Sequence, residues 1–211
     1  MFPARLLAAL TTGTLLALGP TAAPAVARVA VPVNCSHSPV ELRWDDTTYE
    51  LEGPCGVVRV LADDVVVRMP TATRLVVRGQ RNDVVAKPVG RLVVRGGDHG
   101  IRVPSVRALD VASRGSLVET EGLVERLRLG GHGAAVTADR VYTLRAPGSH
   151  NSLRTRRGYD AGIGGDANTV HYRRLDALVV RGDHNAVSVR RGVTSVRNSG
   201  RGNDVDVARR R

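Results

Sequence analysis

The stretch LVVRGQRN occupies residues 75–82, and similar stretches follow as LVVRGGDH at 92–99 and LVVRGDHN at 178–185. Leu75 and Leu92 begin the first two, and Leu109 follows at the same interval. A short repeat of constant length is typical of solenoid proteins, in which each unit packs only against its neighbours. Extending the register without gaps predicts coils of about 17 or 18 residues. They begin at Leu75, Leu92, Leu109, Leu127, Leu144, Ala161, Leu178 and Val196.

Two columns of this repeat are apolar in all eight coils. One is the coil start itself. The other lies nine positions later, at Val84, Ile101, Val118, Val136, Leu153, Val170, Val187 and Val205. Alternating apolar residues favour short strands. Because so short a coil cannot bury its apolar face alone, we expect successive coils to stack about 4.8 Å apart.

Two further columns hold residues that are common in turns. Glycine lies four positions after the coil start in every coil except one, which has Ser113 there. Position seven holds Asn82, Asn151, Asn168, Asn185 and Asn203, with His99, Ser116 and Ala134 in the other three coils. Glycine permits a sharp turn and asparagine tolerates left-handed backbone geometry. We predict an internal ladder of asparagine amides here; ligand binding by these asparagines is the alternative.

The columns together predict an all-β, single-domain β-solenoid (β-helix) of 8 to 10 coils over residues 57–211. Val57 begins a plausible coil with Asp64 in the asparagine column, and Val40 is a candidate start for another. Because an open solenoid end exposes unpaired backbone and apolar core, residues 28–56 are expected to form an N-terminal cap. The core should consist of Val, Leu, Ile and Ala, since aromatic residues make up only 3% of the chain.

The first residues have the features of a secretory signal peptide. Arg5 precedes an apolar run from Leu6 to Leu18, and small residues lead to Ala27, after which cleavage is predicted. The apolar run is shorter than the roughly 18 to 20 residues that span a bilayer. We therefore expect residues 1–27 to be removed and the protein to be secreted, either extracellular or associated with the cell envelope.

Cys35 and Cys55 are the only two cysteines. In an oxidising compartment we expect a disulfide between them that staples the cap. Two free thiols are the alternative. A zinc site is a further one, but zinc takes about four ligands and only His37 lies nearby.

The pattern LxxxGxxNxV behind a signal peptide resembles a bacterial family of exported proteins known as domain of unknown function 3060. The similarity is expected over roughly residues 57–207. The coils that begin at Leu109 and Leu127 depart from the pattern because they lack the asparagine. The resemblance implies β-solenoid architecture and export, and it supplies no catalytic residues.

The most informative polar pattern is a set of paired arginines that recur once per coil, with Arg140 preceding them in register. This arginine ladder consists of Arg156, Arg157, Arg173, Arg174, Arg190 and Arg191. Stacked like charges repel each other unless anions, acids or solvent compensate. The formal net charge of the full sequence is +11, and loss of Arg5 with the predicted signal peptide lowers it to +10.

Arginine binds phosphate or carboxylate through two parallel hydrogen bonds, so we predict that the ladder binds a linear polyanion. Anionic cell-wall polymer and acidic polysaccharide are the expected partners. Nucleic acid is disfavoured, because single strands usually stack their bases on aromatic rings. The alternative is a solvated basic edge whose arginine stems cover apolar surface.

Histidines and aspartates recur in the turn just before the asparagine column. His132, Asp166 and Asp183 share one position, and His150 and His184 share the next. On adjacent coils such residues could approach metal-ligand distances, so His132, Asp166, Asp183 and His184 are weak candidates for a metal site.

Asp166, Asp183 and His184 also suggest an alternative function, that of a polysaccharide-active enzyme on a β-helix scaffold. Glycoside hydrolysis needs two carboxylates roughly 5 to 10 Å apart across one groove. The acidic residues are otherwise scattered over the columns, and the sequence has no nucleophile motif or nucleotide-binding loop. We therefore expect no cofactor and no catalytic residues, and favour a non-enzymatic envelope or polyanion-binding module.

Overall fold

The structure is a computed structural model that describes residues 30–36 and 39–208. The predicted signal peptide and His37 lie outside the described residues. The described residues include no helical segment with the length and hydropathy that a membrane span requires. Their strands are β1 (Ala30–Asn34), β2 (Val40–Leu42), β3 (Thr48–Glu52), β4 (Cys55–Val60), β5 (Val66–Met69), β6 (Ala72–Val77), β7 (Asp83–Ala86), β8 (Val89–Val94), β9 (Gly100–Arg102), β10 (Val106–Val111), β11 (Leu117–Glu119), β12 (Leu123–Leu129), β13 (Ala135–Ala146), β14 (Ser152–Ile163), β15 (Thr169–Val180), β16 (Ala186–Val189), β17 (Ser195–Asn198) and β18 (Asp204–Val207).

The strands stack in parallel to form a β-solenoid of about ten turns, which confirms the predicted fold class. Leu75 pairs with Leu92, and Val84 pairs with Ile101. The same offset of one coil length joins each later coil to the next along both apolar columns. The apolar columns therefore identified the stacking register correctly from residue 75 onward.

The stacking also extends into residues 30–52, which the sequence assigns to a cap. Val40 pairs in parallel with Val58, as expected for the start of a further coil. The predicted disulfide is present, with the Cα atoms of Cys35 and Cys55 4.9 Å apart. It joins the residue that follows β1 to the first residue of β4, and so links two N-terminal coils.

The predicted start of the next coil is wrong by one residue. Val58, not Val57, pairs with Leu75. The buried residue Val65 therefore occupies the asparagine column in this coil, and Asp64 does not. The error arises because residues 57 and 58 are both valine. Hydrophobicity therefore does not show which of the two side chains faces inward.

Each coil has three sides. Along each side, buried residues alternate with exposed residues. The start of β14 forms the second side of its coil, where Leu153 and Thr155 face inward. Arg156 and Arg157 then both face outward, and Gly158 is again buried. Two consecutive outward residues mark the corner between the second and third sides. The first side runs from the coil start to about three positions beyond it, across the coil from that corner.

The core consists mainly of Val, Leu, Ile and Ala, as predicted. The exceptions among the described residues are Cys35, Tyr49, Cys55, Met69 and Tyr172. Tyr172 is 1% exposed in a column of otherwise smaller residues. A Cβ atom on Gly158 would lie 2.5 Å from Cε1 of the Tyr172 ring. The glycine in one coil thus leaves the space that the tyrosine of the next coil fills.

The glycine column is required by the close approach of stacked backbones. A Cβ atom on Gly96 would lie 1.9 Å from the carbonyl oxygen of Gly79, and one on Gly165 would lie 2.0 Å from that of Gly148. In this column only Gly79 and Gly96 have a positive φ. Contact between coils, rather than a sharp turn, is therefore the reason that the glycines share.

The left-handed residue of each turn lies one position before the asparagine column, so the expectation that asparagine adopts this geometry is wrong. This position has a positive φ in all ten coils whose turns are described. Its residues are Asp46, Asp64, Arg81, Asp98, Gly115, Gly133, His150, Ala167, His184 and Gly202. The asparagines themselves point into the coil.

Candidate functional site

The asparagine column forms the predicted internal ladder. Asn168 is 1% exposed, and its Oδ1 accepts a hydrogen bond of 2.9 Å from the backbone N–H of Asn151. Its Nδ2 donates to the carbonyl oxygen of Gly148 at 2.9 Å. Asn185 continues the same pattern. These buried amides bond to neighbouring coils, which accounts for their repetition without a ligand.

The aspartates of the turn also bond to neighbouring coils. Asp166 Oδ1 accepts a hydrogen bond of 2.8 Å from the backbone N–H of Asp183, and Asp183 Oδ1 accepts one of 2.7 Å from the N–H of Arg201. Each carboxylate thus satisfies a backbone donor of the next turn. This contact explains the aspartates as parts of the stack.

The histidines of the turn do not complete a metal site with the aspartates. The rings of His132 and His150 lie with their centroids 4.5 Å apart. Within residues 30–36 and 39–208, no three His, Cys, Asp or Glu side chains are grouped so that they could hold a metal ion. The structure therefore does not bring His132 and His184 together with Asp166 and Asp183 in such a group.

The arginine ladder runs along the corner between the second and third sides. Arg157 pairs with Arg140 in the coil before it and with Arg174 in the coil after it. The backbone N–H of Arg191 donates to the carbonyl oxygen of Arg173 at 2.8 Å, which carries the ladder into the next coil. All six ladder residues are exposed. The sequence spacing therefore placed them correctly on successive coils.

Only the first rung of the ladder has an acidic partner among the described residues. Nη1 of Arg156 lies 3.1 Å from a carboxylate oxygen of Asp139, and Nε of Arg140 lies 3.5 Å from the other. The remaining five ladder arginines have no ion pair within the described part of the chain. The positive charge of Arg191, followed by desolvation and the charges of three other ladder arginines, lowers the pKa of Arg173. The ladder is thus a region of uncompensated positive charge.

A groove borders the ladder on the second side, and the sequence did not predict it. One part has a volume of about 710 Å³, and its lining includes Glu119, Asp139 and Arg156. A second part, of about 400 Å³, is lined by basic residues including Arg154 and Arg190. Because Arg154 lines both parts, the groove continues along the solenoid from an acidic to a basic region.

No curated protein matches the chain, and no solved structure matches it either. A family model does match, over residues 159–202. This segment contains two complete coils, which begin at Ala161 and Leu178, and four of the six ladder arginines. It is shorter than the expected similarity over residues 57–207. The matching family is described as Protein of unknown function (DUF3060), so the resemblance seen in the repeat is confirmed for residues 159–202.

Proposed function

We propose that this protein is an exported, non-enzymatic interaction module that binds a linear polyanion through the arginine ladder. The observation that carries the proposal is the stacking of exposed arginines of which five lack an acidic partner in the described residues. Anionic cell-wall polymer and acidic polysaccharide are the candidate ligands.

The geometry of the ladder favours a polymer over a small anion. Stacked coils repeat about every 4.8 Å, so the guanidinium groups form a row along the solenoid axis. A linear polyanion offers charges in a row of the same kind, and each arginine can bind a phosphate, sulfate or carboxylate with two hydrogen bonds. The basic part of the groove beside the ladder gives such a chain a further wall.

Export is part of the same proposal. The predicted signal peptide at residues 1–27 would deliver the chain to an oxidising compartment, where the Cys35–Cys55 disulfide is stable. Anionic envelope polymers are accessible from that compartment. An amino-terminal sequence of the purified protein that begins at Arg28 would support this part, and one that begins at Met1 would contradict it.

The test is retention of the protein on heparin, on immobilised cell-wall polymer and on a neutral glycan across a salt series. The ladder variant is Arg157→Gln with Arg174→Gln and Arg191→Gln, one column of the ladder. We expect the wild type to bind only the anionic supports, with affinity that falls steeply with salt. The variant should elute at lower salt, and its salt dependence should be shallower by about one unit of slope per lost contact.

A matched control separates the ladder from net charge. Arg81, Arg102 and Arg145 are exposed, but each forms ion pairs with acidic side chains. Their joint replacement by Gln removes the same three charges and should shift elution much less. Equal shifts for the ladder variant and this control would contradict the proposed site, as would unchanged retention of the ladder variant.

A further inference from the structure

A second group of arginines lies along the first side of the solenoid and at the corner before it, in the N-terminal half. Arg74 pairs in register with Arg91, one position before the start of adjacent coils. Arg78 and Arg95 lie three positions after those starts. All four are exposed and form a rectangle on two stacked coils, about 4.8 Å in one direction and about 13 Å in the other. We call Arg74, Arg78, Arg91 and Arg95 the arginine quartet.

Within the described part of the chain, none of the quartet has an acidic partner. Elsewhere on this side the compensation is mixed. Arg145 lies 2.8 Å from a carboxylate oxygen of Asp160, whereas Arg126 and Arg181, which stand in the quartet's columns, have no ion pair within the described residues. Glu41 lines the groove beside the quartet, but it forms ion pairs with Arg43 and Arg59. What distinguishes the quartet is therefore that two such arginines lie on each of two adjacent coils, so that four uncompensated charges are grouped together.

The quartet surrounds an apolar floor. Val76 and Val93 occupy the outward position between the arginines, yet they are only 6% and 4% exposed. They lie in a groove of about 420 Å³ that Arg74, Arg78 and Arg95 also line. Arginine stems commonly cover apolar surface while their charged ends remain in water. An anion held there would contact guanidinium groups above a poorly hydrated surface, where charge interactions are stronger than in bulk water.

The quartet and the arginine ladder face different directions. The quartet lies along the first side and at the corner before it, in the coils that begin at Leu75 and Leu92. The ladder lies on the opposite corner, in the coils that begin at Leu144, Ala161 and Leu178. The quartet and the ladder can therefore each contact a separate polyanion chain.

We propose that the arginine quartet is a second polyanion-binding site and that the protein cross-links two polyanion chains, one on each surface. The second site stands on the quartet alone, whereas cross-linking rests also on the proposed function of the ladder. Two sites joined on one rigid body raise the overall avidity for a polymer network well above that of either site.

The experiment counts binding sites with short heparin oligosaccharides by calorimetry and measures cross-linking by light scattering with long heparin. We expect the wild type to bind two oligosaccharides and to produce scattering that rises and then falls as heparin is added. The quartet variant, with all four arginines replaced by Gln, should bind one oligosaccharide and scatter little. Circular dichroism spectra and thermal unfolding verify that each variant remains folded.

The matched control replaces four ion-paired arginines outside this groove by Gln: Arg68, Arg81, Arg128 and Arg145. This control variant should still bind two oligosaccharides and should scatter light with long heparin as the wild type does. A quartet variant that binds as many oligosaccharides as the wild type would overturn the second site, and so would equal loss in the control.

Failure of the ladder is distinguishable from failure of the quartet. If the ladder variant loses no site while the quartet variant loses one, the proposed function of the ladder is wrong, and the quartet remains a site. If the ladder variant loses one site and the quartet variant loses none, the ladder stands and this inference is wrong.

Discussion

His99 takes the place of an asparagine in the buried ladder, because its Nδ1 accepts a hydrogen bond of 3.3 Å from the backbone N–H of Asn82. Its Nε2 lies 2.7 Å from the carbonyl oxygen of Arg95. Asn82 makes the equivalent bond with its own coil, since its Nδ2 donates to the carbonyl oxygen of Arg78 at 2.8 Å. The neutral tautomer with the proton on Nε2 therefore reproduces both bonds of an asparagine.

We predict that His99 makes stability depend on pH. Burial lowers the pKa of His99 below its ordinary value of 6.5, and the hydrogen bond to Arg95 and nearby acids only partly oppose this shift. The unfolded chain therefore binds a proton more readily than the folded chain. The contribution of His99 to stability is fully present above about pH 6.5 and is lost as pH falls from there towards the folded pKa.

Thermal unfolding between pH 7.5 and 5 checks this prediction. The melting temperature of the wild type should fall over that range, and His99→Asn should fall less, because asparagine can make the same bonds without titrating. His184→Asn is the control, since His184 is exposed in the turn. An unchanged pH dependence in His99→Asn would show that other groups cause it.

The close contact at the glycine column predicts that alanine substitutions at two neighbouring positions, 164 and 165, differ sharply in their effect on stability. In Gly165→Ala the new Cβ would lie 2.0 Å from the carbonyl oxygen of Gly148, so the stacked coils must separate. In Gly164→Ala the Cβ has no heavy atom within 4 Å. We expect Gly165→Ala to lower the free energy of unfolding by about 1 to 3 kcal/mol or more, and Gly164→Ala to leave it nearly unchanged. Urea denaturation of both variants measures this, and equal stability would contradict the close contact.

The stacking register could be predicted because identical spacing of apolar residues accumulates over many coils. Leu75, Leu92 and Leu109 fix one column, and stacking then determines the positions of all others. The left-handed position could not be predicted, because it holds residues as different as Arg81 and Ala167. Its geometry follows from the path of the turn, not from a shared side chain.

The candidate site was only partly predictable for a related reason. Sequence spacing places the ladder arginines on successive coils, but it does not say which acids lie nearby. Asp139 lies beside Arg156 and compensates it, whereas the quartet has no such partner among the described residues. The groove beside the ladder likewise depends on the shape of the second side, which periodicity does not describe.

Two buried tyrosines should respond in opposite ways to loss of the hydroxyl group. The hydroxyl of Tyr172 is buried without a hydrogen-bond partner in the described residues. Tyr49, which is also buried, accepts a hydrogen bond from the N–H of Trp44 at 3.1 Å and donates to its carbonyl oxygen at 3.3 Å. Removing an unsatisfied buried group relieves a desolvation cost, whereas removing a bonded one leaves partners unpaired.

We therefore expect Tyr172→Phe to keep or raise the free energy of unfolding by up to about 1 kcal/mol, and Tyr49→Phe to lower it by about 1 kcal/mol. Chemical denaturation of the two variants measures whether each substitution raises or lowers the free energy of unfolding. A Tyr172→Phe variant that is clearly less stable than the wild type would imply that the hydroxyl has a partner.

The disulfide should protect the N-terminal coils locally. Cys35 and Cys55 are separated by 20 residues, and cross-links that close loops of this size stabilise proteins by roughly 3 kcal/mol. Stacked coils contact mainly their neighbours, so loss of a terminal link first loosens the terminal coils. In the variant with both cysteines changed to Ala, hydrogen exchange should accelerate in β1 to β4 and stay slow in β13 to β15. Equal acceleration in both regions would mean that the solenoid unfolds as one cooperative unit and that the disulfide stabilises all of it.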